Sequence, residues 1–286
     1  MTQPIRLLVS DVDGTLVDKE KRLTPATTDA VRRLIAAGVG FTIISARPRS
    51  GVMPLADLLG IDAPIAAFNG GLIFRRDGTV EQHHVLPREA VEGALALAAE
   101  EPVDTWFFAE DRWFASADRG VHAEHERLAA NQEPVVTADF AVLAETTDKI
   151  TFVSDEPAVL ARLRERCKQA FGDRATIAMS QPYYLDITAT RANKGDGLLA
   201  LAAAFDVPLD AVAAIGDQQN DLPMLERAGV SIAMGNAAPG VREATDYGTV
   251  ANDEDGVAHA QPLSRRSRVS STATRHSSST SASGRS

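Results

Sequence analysis

The chain has 286 residues, 44% of them hydrophobic and 24% charged, a globular composition long enough to fill two separate cores. A formal net charge of −10 argues against a nucleic-acid surface, because phosphate backbones are held by clustered Lys and Arg, so any phosphate site here must be local. The single cysteine, Cys167, excludes an internal disulfide or a cysteine metal cage, and no apolar run reaches the roughly 20 residues of a membrane span.

The first residues lead straight into an apolar strand over 5–10, with no apolar leader, which sets a cytoplasmic expectation. Thr24 and Pro25 then open a helix as N-cap and first helical residue, and Gly38 closes it. A second apolar strand follows over 40–44, a helix over 48–59 that stops at Gly60, and a third strand over 64–68. Short, almost unbroken apolar runs suit parallel strands buried on both faces, and strand–helix–strand order makes the crossover right-handed.

After Asn69-Gly70-Gly71 the texture changes. A hairpin through Arg76-Asp77-Gly78 leads into mixed strands and helices as far as about 185, with both tryptophans and two of three tyrosines. The parallel pattern then resumes as a helix over 195–205, a strand over 211–215 and a helix over about 221–228. From 264 to 286 the chain is a Ser/Thr/Ala run with five arginines and no acids, expected to be disordered. Setting that tail aside leaves a charge of −15 on the rest.

Three of the buried strands end on polar residues: Asp11, Ser45 and Asp217. In open parallel sheets the ligand site lies beyond the carboxyl ends of the strands, so these three are expected to share one crevice. In Asp11-Val12-Asp13-Gly14-Thr15 two carboxylates leave the strand end two residues apart: one can attack while the other handles protons. Gly216-Asp217-Gln218-Gln219-Asn220-Asp221 adds two carboxylates and an amide before a helix. With Asp11 they make an oxygen-rich set without Cys or His, suited to Mg²⁺ rather than zinc. For Asp221 an ordinary helix N-cap is a compatible second role. Lys194 opens a helix whose amides favour anions, and Ser45 and Arg47 stand where either would meet a phosphate.

These segments resemble four motifs of the haloacid dehalogenase superfamily, and specifically its Cof-type phosphatases. Asp11-Val12-Asp13-Gly14-Thr15-Leu16 is similar to the first motif, Ser45-Ala46-Arg47-Pro48 to the second and Lys194-Gly195 to the third. Ile215-Gly216-Asp217-Gln218-Gln219-Asn220-Asp221 with Met224-Leu225 is similar to the fourth. The likeness runs from about Ile5 through Ala258. It implies an α/β fold: a doubly wound, Rossmann-like parallel-sheet core over 1–82 and 188–263, with an inserted α+β cap of the C2 type over 83–187. It also implies an Mg²⁺-dependent phosphoric monoester hydrolase acting on small phosphorylated metabolites, sugar phosphates or similar. Asp11 would be the nucleophile and Asp13 the acid and base. Ser45, Lys194 and Asn220 would bind phosphate, and Asp11, Asp13 (by its carbonyl), Asp217 and Asp221 would surround the metal. Arg47, Asn69 and Gly70 are candidate substrate contacts.

Within the insert, Trp106, Trp113, Arg119, His122, Tyr183 and Tyr184 are candidates for substrate selection, although each suits core or surface as well. His122 and His125 form no His-Glu-x-x-His pattern, so a second metal site is not expected. Two rival readings remain: a phosphomutase returning the phosphoryl group to substrate, and a non-catalytic phospho-ligand sensor. The intact set of motif carboxylates disfavours the sensor. A transport ATPase is weaker still, because there is no membrane segment.

Overall fold

The computed structural model describes residues 4–260, so the Ser/Arg tail expected from 264 lies outside the described residues. In chain order the elements begin with β1 (Leu7–Ser10), α1 (Pro25–Ala36), β2 (Gly40–Ile43), α2 (Arg49–Leu59), β3 (Ile65–Ala67), β4 (Leu72–Phe74) and β5 (Val80–His83). There follow α3 (Arg88–Ala98), β6 (Asp104–Ala109), β7 (Arg112–Ala115), α4 (Val121–Ala130), β8 (Val135–Val136), β9 (Thr147–Val153), α5 (Pro157–Phe171), β10 (Ala175–Gln181) and β11 (Tyr184–Ala189). The chain closes with α6 (Lys194–Ala204), β12 (Val212–Gly216), α7 (Leu222–Leu225), β13 (Val230–Ala233), α8 (Pro239–Glu243), β14 (Tyr247–Gly248) and α9 (Gly256–His259).

Five of these strands form one all-parallel sheet in the order β14-β13-β12-β1-β2. The chain leaves β1 toward β2 and later returns on the other side of β1 as β12, so the sheet is doubly wound. Its switch point lies between β1 and β12. All four β1 residues are buried, as the unbroken apolar run requires, and each large side chain among them is worth roughly 2 kcal/mol when withdrawn from water. Thr24 caps α1 as expected, its side chain accepting from the amide of Thr27. The strand after α2 only brushes this sheet, through a bridge between Ile44 and Ala66, and belongs instead to a small antiparallel sheet, β3-β4-β5. The expected hairpin is its second half, turning over Arg75–Thr79 with Gly78 at φ +97°.

The insert forms a six-stranded sheet in the order β10-β11-β9-β6-β7-β8. One face, with Phe107, Ile150, Phe152, Leu185 and Ile187, packs with residues of α3 and α5 into a core of its own. The opposite face, with Trp106, Phe108 and Trp113, joins the core of the parallel-sheet unit. The lid is therefore docked. Helix α4 rests on α2 at Gly51, where a Cβ would stand 2.1 Å from the carbonyl oxygen of Ala129, and Ser50 donates its hydroxyl to the carbonyl of Ala130. A division after residue 187 would cut β11, which stays paired with β10 as far as Ala189, so we place the return to the core at 190–193.

The helix expected over 221–228 is shorter in its regular part, only Leu222–Leu225, because the preceding turn is a 3₁₀ segment over Gln219–Asp221. Asp221 does not cap α7. It sits at the third position of a capping box opened by Gln218, and its Oδ2 accepts from the amides of Asp217 and Gln218, both at 2.8 Å.

Candidate active site

The carboxyl ends of β1 and β12 put Asp11 and Asp217 side by side, because Ser10 pairs with Ile215 in the parallel register. Helix α6 brings Lys194 beneath them, and its ammonium donates to both Asp11 Oδ1 and Asp221 Oδ1. All four side chains are buried. Asp11, Asp217 and Asp221 each offer a carboxylate oxygen within 4.8 Å of the others, the one such acid, Cys or His cluster among the described residues. Gly14 closes the first loop at φ +81°, and a Cβ there would stand 2.4 Å from Asp217 Oδ2. Only glycine lets the first and last loops come this close.

Three carboxylates against one lysine leave the cluster short of positive charge. Burial pushes the Asp11 carboxyl well above its ordinary value, with the charges of Asp221 and Asp217 adding to the rise and Lys194 opposing it. Asp217 is raised for the same two reasons, burial and then Asp221, while hydrogen bonds from Thr15 and Gln218 pull it back. Lys194 moves up despite burial, held in its charged form by Asp11 and Asp221. An all-oxygen, anion-rich and desolvated donor set of this kind fits a hard divalent cation. Within it Asp221 accepts from Lys194 and two amides, and Asp217 from Thr15, Gln218 and Asn236, three each of the roughly four lone-pair positions of a carboxylate, so Asp11, whose carboxylate accepts from Lys194 alone among the described residues, has the most left to offer.

Asp13, two residues on, faces away from this cluster. Arg47 grips it with Nε and Nη2, each 2.8 Å from one carboxylate oxygen, and Lys21 adds a contact at 2.6 Å. Burial alone would raise Asp13, but these cations hold it far below the usual carboxylate range. The third guanidinium nitrogen of Arg47 donates to the carbonyl of Gly51 at 3.3 Å. Arg47, a candidate substrate contact by sequence, here holds Asp13, since a planar fork matches a carboxylate as well as a phosphate.

Ser45 is buried at the end of β2, where its Oγ accepts from the amide of Arg47 at 3.1 Å and keeps its own hydrogen to donate. Asn69 and Gly70 lie on a left-handed turn, φ +57° and +98°, that packs on the start of α6 near Asn193 and Gly197. Asn220 reaches across to Asn69, Nδ2 to Oδ1 at 3.3 Å, joining the last loop to this turn. Direct contacts thus join Asp11 and Asp221 through Lys194, Asp13 to Arg47, and Asn220 to Asn69.

The aromatic candidates of the cap fare differently. Trp106 and Trp113 are core, packed edge to face at 5.2 Å, and Arg119 is exposed. His122 stacks on Tyr183 at 4.2 Å and pairs with Asp155. What sequence reasoning missed is the strand β9. Its alternation puts Lys149 and Thr151 on the same sheet face as Trp106 and Phe108, toward the crevice, and only the register with β6 reveals that.

Fold and site together define a class: a capped, doubly wound α/β hydrolase with its acids at the switch point. The family described as haloacid dehalogenase-like hydrolase matches residues 8–260. An HMP-PP phosphatase of Yersinia enterocolitica is 30% identical over 257 residues, spanning 89% of this chain and 93% of that protein. A haloacid dehalogenase-like hydrolase of Bacteroides thetaiotaomicron superposes with a TM-score of 0.82 at 28% identity, over 90% of this chain and 98% of the other. The sugar phosphatase BT4131 gives a TM-score of 0.77 at 25% identity, over 90% of this chain and 98% of the other. The chain spans 45% of a longer relative, the chloroplastic endoribonuclease YBEY of Arabidopsis thaliana, at 27% identity over 261 residues and 87% of this chain. The chain belongs to the haloacid dehalogenase-like hydrolases, and it is a phosphatase of the Cof type within them.

Proposed function

We propose that the chain is an Mg²⁺-dependent phosphatase that hydrolyses phosphomonoesters of small metabolites, sugar phosphates or similar, through an aspartyl-phosphate on Asp11. The observation that carries this reading is the buried cluster of Asp11, Asp217 and Asp221 around Lys194 at the switch point of the sheet. Asp11 and Asp217, with the Asp13 carbonyl, would hold the metal, and Asp221 would steady Lys194. Bound there, Mg²⁺ would supply positive charge against the equatorial oxygens of the transferring phosphoryl group.

In the first step a carboxylate oxygen of Asp11 attacks phosphorus and the bond to the leaving oxygen breaks, that oxygen taking a proton from Asp13. Lys194, Ser45 and Asn220 hold the phosphoryl oxygens in line. In the second step Asp13 removes a proton from water, which attacks phosphorus and releases inorganic phosphate and the free Asp11 carboxylate. The clamp of Arg47 and Lys21 keeps Asp13 ionised, the form that the second step needs. A phosphoryl group that draws either cation to itself would let Asp13 carry the proton of the first.

The Yersinia relative, named for one phosphate compound, and the sugar phosphatase BT4131 support a small phosphorylated substrate. So does the contact of α4 with α2, which holds the insert against the core unit. No helix among the described residues is long and apolar enough to cross a membrane, and a cytoplasmic location belongs to the same proposal. The test is release of inorganic phosphate from a panel of phosphorylated metabolites, with Mg²⁺ and with EDTA. An isomerised product without free phosphate would make the enzyme a mutase, and full turnover in metal-free buffer would remove the metal from the proposal.

A further inference from the structure

The ceiling of the crevice carries two charged groups that nothing in the fold explains. Lys149, on the central strand β9, is 7% exposed, yet among the described residues its ammonium takes part in no ion pair or hydrogen bond. Its contact is the face of Phe108, 4.4 Å from nitrogen to ring centroid. Glu126, on α4, likewise has no hydrogen-bonded partner among the described residues. A buried ammonium without a hydrogen-bonded counter-ion is costly to keep, and Glu126, half-buried nearby, is within electrostatic reach of it without closing a hydrogen bond.

Their placement is fixed by the sheet. Phe108 pairs with Lys149, Trp106 and Asp186 both pair with Thr151, and Thr188 flanks Lys149 from β11. Strand alternation therefore sets Lys149, Thr151 and Asp186 on the crevice-facing side, with Thr151 donating to Asp186 Oδ1 at 2.7 Å. Phe108 in turn packs at 6.0 Å on Phe68, the residue before the Asn69 turn of the catalytic floor. Glu126 feels Lys149 and Asp186 from the ceiling and Asp13 and Arg47 from the floor. It bridges the two sides electrostatically, and burial, opposed by Lys149, pushes its carboxyl up to about 7.

We propose that Lys149 and Glu126 are the specificity-determining residues of the leaving-group subsite, and that they select a leaving group by its hydroxyl groups rather than by a second anion. This rests on the phosphatase reading of the same crevice. Lys149 offers three N–H donors, while Glu126 and Asp186 accept from O–H groups, so a neutral polyol satisfies all of them at once. A second phosphate or carboxylate would meet the Asp186 carboxylate and the ionised fraction of Glu126 beside the Lys149 ammonium, and that repulsion offsets what Lys149 supplies. Phe108, itself buried, backs the Lys149 ammonium and fixes its position over the Phe68 turn.

The experiment measures kcat and KM for glucose 6-phosphate, fructose 1,6-bisphosphate and p-nitrophenyl phosphate in wild type, Lys149→Met, Lys149→Arg and Glu126→Gln. Melting temperatures report whether each variant folds. Lys149→Met and Glu126→Gln are expected to lose at least tenfold more kcat/KM on glucose 6-phosphate than on p-nitrophenyl phosphate, mainly through KM, with Lys149→Arg recovering part of it. Glu126→Gln, nearly isosteric on a partly exposed helix, keeps the test open should the buried Lys149→Met fail to fold. Equal losses on both monoesters, or none, would overturn the assignment. So would a wild-type preference for the bisphosphate that Lys149→Met abolishes. A wild type inactive on every phosphomonoester, p-nitrophenyl phosphate included, would remove the phosphatase reading and this inference with it, whereas an active wild type with unmoved variants removes this inference alone.

Discussion

Arg47 lies along the carboxylate of Asp13, with Nε and Nη2 each 2.8 Å from a separate oxygen, so one side chain of the second motif sets the protonation of the first. The bond crosses from the end of β2 to the end of β1, and its partner Lys21 comes from the loop before α1.

Arg47→Lys should lower kcat/KM by about 10- to 100-fold, the equivalent of a lost charge-assisted hydrogen bond of roughly 1.5–3 kcal/mol. Arg47→Ala should move the acidic limb of the kcat/KM profile to higher pH, since removing the clamp lets Asp13 rise. The stability contribution has a definite sign. Asp13 is depressed in the folded protein, so its contribution is present above the unfolded value of about 3.9 and is lost as pH falls below it. The gap in Tm between wild type and Arg47→Ala should be full at pH 6 and shrink toward pH 3. A gap independent of pH would show that Arg47 acts through packing alone.

Asp11→Asn should abolish turnover and leave the fold intact, because an amide of the same shape still accepts from Lys194. Lys194→Ala should also unfold the protein more readily, by about 3–5 kcal/mol in urea titration, since Asp11 and Asp221 would then lie buried without their shared cation. Wild-type stability for Lys194→Ala would mean that water reaches the cluster.

Glu126 gives a pH dependence of the opposite sign. Its carboxyl ordinarily titrates at 4.5 and is raised in the folded chain to about 7, so the folded state binds the extra proton. Stability should therefore fall as pH rises through that window, by about 1–2 kcal/mol once water at the partly exposed side chain is allowed for. Glu126→Gln should flatten the slope of Tm against pH between 4.5 and 7; an unchanged slope would place its source elsewhere.

Cys167 is fully buried on the inner face of α5, and burial pushes its thiol up to about 11, with Arg166 opposing weakly. It should resist thiol reagents at pH 8 in the native protein and react at once in denaturant. Rapid native labelling would show that α5 opens locally.

Gly51→Val should disturb the lid rather than the chemistry, because the new side chain strikes the carbonyl of Ala129 on α4. We expect KM for metabolite substrates to rise several-fold, with a much smaller change on p-nitrophenyl phosphate. Equal effects on the two would mean that α4 takes no part in substrate selection.

The strands, the helix starts and the residues at the strand ends were legible in the sequence because each depends on neighbours in the chain. A run such as Leu7-Leu8-Val9-Ser10 reads as a doubly buried strand, Thr24-Pro25 as a helix start, and a carboxylate after such a strand as a member of the crevice. What each side chain touches was decided elsewhere. Nothing local tells that Arg47 turns back onto Asp13 instead of forward to a phosphate, or that Asp221 spends its oxygens on Lys194 and two amides. The cap residues show the same limit from the other side. Trp106 and Trp113 drew attention by their chemistry and proved to be core, while Lys149 gave no signal until strand register put it on the crevice face beside Phe108. Periodicity records which side of an element is buried. Which of two buried sides faces the catalytic floor depends on pairings between residues more than forty positions apart, and only the tertiary structure makes those.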